Sequence, residues 1–388
     1  MIRVLQVLGT VGLGGAESRV MDLYRHMDRN EIQFDFLVTA GTDDHYRAEI
    51  ESMGGRVYHL PAFRMVNISE YKCACREFFS SHVVRTEANK SDKPVSEYAA
   101  VHGHMTSTAS IYLPIARKYG VALTIAHARS AGVDPGLKGL ATRFMRRDLW
   151  KKCDIMLTCS DEAGDSVFGR GRDHVFMPNA IDTSDFAFDK EARARIREQY
   201  GITDDEILIG HVGSFRYAKN HEFILKVFKE LVSDDRYRLM LVGDGTLRAD
   251  IEAKTAELGL SDRVIFTGNQ SPVAPYYSAF DILLFPSHYE GMPGTVVEAQ
   301  ASGLPCLISD AITPQVIITN LVSVLDLSEP ATKWAEVIRS LTIEDRTGPV
   351  LTKDGEPLSS TLYDVNKQVD YYMDIYNRNK KVHEPNGD

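Results

Sequence analysis

Residues 290–298 read Glu290-Gly291-Met292-Pro293-Gly294-Thr295-Val296-Val297-Glu298. Ahead of them, Asp281-Ile282-Leu283-Leu284-Phe285-Pro286 is an apolar run of strand length closed by a proline. Behind them the chain runs through Ala299-Gln300-Ala301-Ser302 to Gly303, a residue type that ends helices. The order is therefore strand, glycine-rich loop, helix N-terminus. Such a turn aims backbone N–H groups and the positive end of a helix dipole at an anion. Glu298 falls about one turn into the helix, on the face of Gly294. A carboxylate there repels phosphate, so its better use is to accept hydrogen bonds from hydroxyls beside it. Glu290, in the loop, is free to reach a second polyol. Two carboxylates flanking a phosphate site suit a ligand with phosphate in the middle and a sugar at each end. The competing reading is two solvated glutamates around an ordinary loop.

The 388 residues exceed what one hydrophobic core serves, so two or three domains are expected. A content of 44% hydrophobic and 25% charged residues is that of a soluble globular protein. No apolar run has the length to span a membrane, and the N-terminus reads as a first strand rather than a signal peptide. Cys73, Cys75, Cys153, Cys159 and Cys306 match neither a disulfide framework nor a zinc spacing, which fits a reducing cytoplasm. Residues 1–185 hold 23 Lys+Arg and 23 Asp+Glu; residues 186–388 hold 21 and 31, so the net charge of −10 lies in the second half. That half is no nucleic-acid surface.

Strand-like and helix-like segments alternate, which predicts α/β domains with parallel sheets. In the first half the strands are Arg3–Leu8, Phe34–Val38, Arg56–Leu60, Ala99–His102, Ala122–Ala126, Asp154–Cys159 and His174–Met177. A second series follows Pro178-Asn179-Ala180-Ile181-Asp182: Leu208–Val212, Arg238–Val242, Val264–Thr267, Ile282–Phe285 and Cys306–Ile308. Two doubly wound, Rossmann-like units are expected, residues 1–183 and 184–361, with ligands beyond the carboxyl ends of the strands in a cleft between them. Thr347–Ser360 reads as a loop, 362–379 as a helix, and His383–Asp388 as a disordered tail.

Other stretches carry chemistry. Gly12-Leu13-Gly14-Gly15-Ala16-Glu17 follows the first strand; Glu17 stands where a nicotinamide fingerprint needs its last glycine. The loop still permits close backbone approach to a phosphate or sugar, or is a plain tight turn. Gly213-Ser214-Phe215-Arg216-Tyr217-Ala218-Lys219-Asn220 precedes a helix, with Asn220 as its expected N-cap. Arg216 and Lys219 there can hold a diphosphate leaving group as charge builds on it, or be a solvated basic turn. Gly243 and Gly268-Asn269 close the next two strands. His102, His104 and His127 lie near strand ends, where histidines are often structural. No Asp-x-Asp occurs, which favours leaving-group stabilisation without a metal. Leu137–Lys152 has six basic residues, one acid and an apolar stripe (Leu137, Leu140, Ala141, Phe144, Met145, Leu149). It suits an amphipathic helix on an anionic membrane or a helix docked on the core.

The Glu290-x7-Glu298 segment, with these motifs in this order, resembles the retaining glycosyltransferases of family 4, which have the GT-B fold. The resemblance covers roughly residues 1–340. Finer features, Lys219-Asn220-His221, Pro293-Gly294-Thr295 and Ser309-Asp310-Ala311-Ile312-Thr313-Pro314, resemble enzymes of bacterial capsular or exopolysaccharide assembly. The resemblance implies transfer of a hexose from a nucleoside-diphosphate sugar, UDP by family frequency, to a saccharide or lipid-linked acceptor hydroxyl with retention. The residues themselves lead to the expectation of no metal cofactor, no nucleic-acid partner and a cytoplasmic location, with contact at the inner membrane face through 137–152 as one of the two readings of that segment. The resemblance also implies that the C-terminal helix crosses back onto the first, acceptor-side domain.

The resemblance assigns catalytic roles to Glu290, His127, Lys219 and Arg216. Donor contacts fall to Gly14, Gly15, Gly213, Lys219, Gly243, Gly268, Asn269, Gly291, Met292, Gly294, Thr295, Val296 and Glu298. Gly14, Gly15 and His104 face the acceptor. Ser214 occupies the usual arginine position, Arg216 standing two residues on, and Ala180 replaces a linker glycine. Retention without an evident covalent nucleophile favours same-face attack, a leaving-group oxygen taking the acceptor proton, over Glu290 as a covalent nucleophile. A sugar-nucleotide epimerase and a non-catalytic sugar-nucleotide binder are the alternatives.

Overall fold

The computed structural model describes residues 1–39, 41, 43–84, 94–129, 137–342 and 346–377. The chain forms two compact units, Met1–Asn179 joined by the segment from Val365, and Ala180–Asp364. The crossovers lie a few residues from the expected boundaries at 183 and 361. The tail His383–Asp388 and residue 379 lie outside the described residues.

In the first unit the strands are β1 (Ile2–Leu8), β2 (Ile32–Val38), β3 (Val57–His59), β4 (Val83–Val84), β5 (Val95–Ser96), β6 (Tyr98–Gly103), β7 (Leu123–Ala128), β8 (Ile155–Thr158) and β9 (Val175–Phe176). Seven of them form a sheet in the order β3-β2-β1-β6-β7-β8-β9, parallel throughout, while β4 and β5 pair antiparallel on their own. The apolar runs follow from helices covering both faces of such a sheet. Asp35, buried in β2, breaks the run and is neutralised by Arg3 and Arg56, at 2.7 and 2.5 Å. The helix Val365–Asn377 belongs to this unit; Gln368 donates to the Pro178 carbonyl at 2.7 Å.

The second unit holds β10 (Ile207–Val212), β11 (Tyr237–Val242), β12 (Val264–Gly268), β13 (Ile282–Phe285), β14 (Cys306–Ser309) and β15 (Val322–Leu325). Their order is β12-β11-β10-β13-β14-β15, again all parallel. Leu239 and Leu241 of β11 pack with Phe228, Ile282, Leu284 and Trp334 in its core. The chain leaves β10 toward one edge and returns at β13 to build toward the other. The switch point therefore falls between β10 and β13, where the carboxyl ends of adjacent strands diverge and leave a crevice.

The structure corrects the basic segment. Leu137–Lys152 is not one helix: the α-helix spans Leu137–Arg146, and a 3₁₀ turn follows at Leu149–Lys151. Leu149 is buried in the core, whereas Leu140 and Phe144 are exposed. The apolar stripe is thus split, its end serving the core and its middle facing outward.

Candidate active site

Two loops at the switch point meet in the second unit. One follows β10 and carries Gly213–Asn220; the other follows β13 and carries Pro286–Pro293. Lys219 Nζ lies 2.6 Å from Glu290 Oε1, with 12% and 18% of the two side chains exposed. The ammonium also sits 4.5 Å from the centroid of the Phe285 ring. Asn220 donates to the Pro286 carbonyl at 3.0 Å, and the His288 N–H to the Ala218 carbonyl at 2.8 Å. Thr295 Oγ1 donates to the Val212 carbonyl at 3.3 Å. Three of these contacts, Lys219–Glu290, Asn220–Pro286 and His288–Ala218, fix one loop directly against the other.

Asn220 precedes the helix His221–Lys229 as expected, but its side chain does not cap it. It takes a left-handed conformation, φ 57°, tolerated by Asn, and spends its amide on the neighbouring loop. At Gly213 the backbone lies close under neighbouring side chains: a Cβ there would stand 3.2 Å from Lys219 Cε and 3.1 Å from His211 Nε2. Gly243 has φ 137°, and a Cβ would fall 2.2 Å from the Gly213 carbonyl oxygen. The turn after β11 therefore supports the loop after β10 by direct backbone approach. Gly243 also donates to the Gly268 carbonyl at 2.9 Å, which ties in the turn after β12; Asn269 beside it is exposed.

The helix Gly294–Ala301 has no side-chain cap. The Val296 N–H turns to the Pro293 carbonyl at 3.2 Å, so Gly294 and Thr295 present the leading N–H groups of the helix. Gly291 is half-buried and Met292 buried. Glu298 is buried, and its Oε2 accepts from the Tyr277 hydroxyl at 2.7 Å. That phenol orients the carboxylate; no local pattern announces it, since the pair is 21 residues apart. Arg216 is exposed, and its Nε donates to Ser214 Oγ at 2.7 Å. The arginine thus leans back on the serine that occupies its usual position.

In the first unit Gly14 is the N-cap residue of the helix Gly15–His26. The Glu17 carboxylate folds over Gly14, where a Cβ would meet Glu17 Oε2 at 2.1 Å; Gly15 has open space above it. A carboxylate at this helix start suits a hydroxyl better than a phosphate.

His102, His104 and His127 are brought together, with one ring nitrogen from each within 4.8 Å of the others. Arg129 Nε donates to His104 Nδ1 at 3.3 Å, so His104 Nε2 carries the proton it gives to Gln6 Oε1 at 3.0 Å. His102 bonds the Tyr376 hydroxyl at 2.8 Å through Nδ1 and His127 Nδ1 at 3.1 Å through Nε2. Both nitrogens of His102 and of His104 are therefore engaged, and a guanidinium stands beside them. This bonding suits neutral imidazoles better than metal ligands. Burial, reinforced by Arg129, holds all three well below the usual histidine range. The Met177 carbonyl opposes this at His127 by favouring its protonated form.

Two more buried histidines back the Lys219 loop. His211 donates through Nδ1 to the Leu284 carbonyl at 3.0 Å, and His221 stacks on Phe215 with centroids 4.1 Å apart. Burial, then the charges nearby, pushes both down, His221 to about 4. Because the folded values lie below the ordinary 6.5, the unfolded chain binds more protons as pH falls through that value. Stability is therefore fully present above 6.5 and is lost on acidification toward the folded values. Urea midpoints at pH 7.5, 6.0 and 5.0 are expected to fall in that order; a flat profile would refute the neutral, buried assignment.

Residues 192–347 match the family described as "Glycosyl transferases group 1". The chain is 35% identical over 385 residues to the putative glycosyltransferase EpsF of Bacillus subtilis (strain 168), spanning 97% of this chain and 96% of that protein. Among solved structures it resembles HepE of Anabaena in complex with UDP, with a TM-score of 0.74 at 14% identity over 97% of this chain and 100% of that one. It also resembles the sucrose-phosphate synthase of Thermosynechococcus elongatus, with a TM-score of 0.72 at 17% identity over 99% and 100% of the two chains. The shared fold is GT-B.

Proposed function

The chain belongs to the group 1 glycosyltransferases, and from that premise we propose that it moves a hexose from a UDP-sugar to a saccharide or lipid-linked acceptor hydroxyl with retention of configuration. The observation that carries the reading is the junction of Lys219, Glu290, the uncapped helix start at Gly294 and the buried Glu298 around one switch point. Lys219 and the Gly294 and Thr295 N–H groups hold the diphosphate. Glu298, aimed by Tyr277, accepts from the ribose hydroxyls. Glu290, with backbone at Gly291 and Met292, binds hydroxyls of the transferred sugar, and Arg216 swings from Ser214 to the phosphates. Gly213 and Gly243 supply close backbone approach, and Gly268-Asn269 meets the base.

His127 serves the transferred sugar, and Gly14, Gly15 and His104 the acceptor. The acceptor attacks the face the diphosphate leaves, and a phosphate oxygen takes its proton. Lys219 and the helix dipole supply the charge that a metal provides in other transferases. UDP as the nucleotide is supported by HepE, which was crystallised with UDP-glucose.

The sequence features shared with capsular and exopolysaccharide enzymes support a role in that assembly. No described helix is long and apolar enough to cross a membrane. The exposed Leu140 and Phe144, set beside the exposed Arg143 and Arg147, support contact with the anionic inner face of a membrane from the cytoplasm.

A thermal-shift panel of UDP-, GDP- and ADP-sugars, with and without EDTA, tests the reading, because a ligand that binds the folded state raises its stability. A shift from one nucleotide class that survives EDTA is expected. Glu298→Ala is expected to weaken that donor's binding about 10-fold, the worth of hydrogen bonds to a charged acceptor. Equal affinity in the variant would remove Glu298 from the donor site.

A further inference from the structure

Tyr217 lies two residues before Lys219, and His288 two residues before Glu290. The two loops thus carry an aromatic ring at the same offset from their charged residue. The ion pair brings the rings together: their centroids are 4.5 Å apart and their planes 17° from parallel. The bond from the His288 N–H to the Ala218 carbonyl and that from Asn220 to Pro286 fix the backbones beneath.

Tyr217 nonetheless keeps 68% of its surface exposed, and Tyr289, next to His288, keeps 61%. Among the described residues of Ala180–Asp364, these two are the exposed aromatic side chains. Single exposed tyrosines are ordinary. Two on the paired loops of one site, one of them stacked on a tethered ring, make a rigid amphipathic surface that binds at little entropic cost.

We propose that Tyr217 and His288 form a platform that receives a pyranose ring of the acceptor saccharide at the rim of the donor site. A pyranose has a face of C–H groups and an edge of hydroxyls. The C–H face matches the open face of the stacked rings, while the hydroxyl edge stays toward water and the Tyr217 hydroxyl. The proposal rests on the donor reading for what lies inside the platform. Lys219 and Glu290 are mostly buried and belong to the transferred sugar and its phosphate, so the outer ring faces the next sugar. The base has its own place: Gly268 ends β12, two strands from β10, roughly 10 Å across the sheet.

The test is NMR of the full chain with ¹³C-labelled tyrosine and histidine rings, with and without saturating UDP. The probes are the methyl glycosides of glucose, galactose and N-acetylglucosamine, together with cellobiose and lactose. At least one probe is expected to shift the Tyr217 and His288 ring signals. Tyr217→Ala is expected to weaken that response about 5-fold, and Tyr217→Trp to retain it. Rings that respond to no probe would overturn the platform. So would a full response to uridine alone, which makes it a base site, or to UDP-glucose alone, which makes it a site for the transferred sugar. Failure of the donor reading looks different: UDP would not bind at all, while the response to saccharide probes would persist.

Discussion

Lys219→Ala is expected to lower turnover about 100-fold, the loss typical when one preorganised charge facing a developing anion is removed. The side chain is already where that anion will form. Glu290 Oε1 holds its ammonium at 2.6 Å, the Phe285 ring lies beneath it, and its stem crosses Gly213. With little of the side chain exposed, water screens the charge less than at an open surface. The diphosphate gains negative charge as the sugar leaves, so the interaction grows toward the transition state, and the effect belongs mainly in kcat.

A purely structural role predicts something else. Removing one partner of so sheltered an ion pair leaves the other charge uncompensated, so a structural role shows as lost stability with kcat intact. Lys219→Met, which keeps the stem against Phe285, separates the two. Consumption of the UDP-sugar that stabilises the protein should show kcat reduced alike in the Ala and Met variants, with KM similar to the parent's. A Met variant as fast as the parent would remove the ammonium from the chemistry. Glu290→Gln, which frees the ammonium without removing it, should instead raise KM for the sugar-bearing donor more than for UDP.

How much of this was legible in the sequence depends on distance along the chain. The parallel strands were readable because sheets covered on both faces demand unbroken apolar runs, as in Ile282–Phe285. The site loops were readable because strand, glycine and helix start are neighbours in sequence. β15, as short as β13 and β14, was passed over because it is an edge strand with Val324 exposed and its other three residues only half-buried, so no continuous buried apolar run marks it. The helix Ile68–Ser81 had the periodicity of a buried face in Tyr71, Cys75, Phe78 and Phe79, and that pattern would have revealed it.

Partners were the illegible part. Tyr277 on Glu298 and Tyr376 on His102 join residues 21 and 274 positions apart. Asn220 shows the limit most clearly: its place before the helix was right, yet its amide serves the Pro286 loop. Local propensity names the residue, and tertiary contact decides what it does.

Asp281→Ala is expected to lower the unfolding free energy of the second unit by about 3–5 kcal/mol, the cost of leaving a buried charge without its counterion. Asp281 opens β13, whose far end delivers Glu290. Its carboxylate takes Arg193 at 2.7 Å, Arg197 at 3.0 Å and the Leu208 N–H at 2.7 Å. Arg197 is itself buried, with its other bonds going to the carbonyls of Thr203, Glu206 and Ala279. Arg346 crowds the same region, and burial, then Arg193, pulls it down to about 10 despite the favourable pull of Asp281. Without the carboxylate, guanidinium charge remains beside carbonyl dipoles alone, and the Leu208 N–H loses its acceptor at the start of the central strand β10. The sequence has two tryptophans, Trp150 and Trp334, and Trp334 lies in the core of the second unit. In a Trp150→Phe background its fluorescence follows that unit alone, and urea unfolding with and without Asp281→Ala reads the difference directly. Asp281→Asn keeps the shape and one acceptor, so it should lose less than the alanine variant and remain folded for comparison. A loss below about 1 kcal/mol in both would mean the arginines reach water when the carboxylate goes, and that the pair behaves as a surface one.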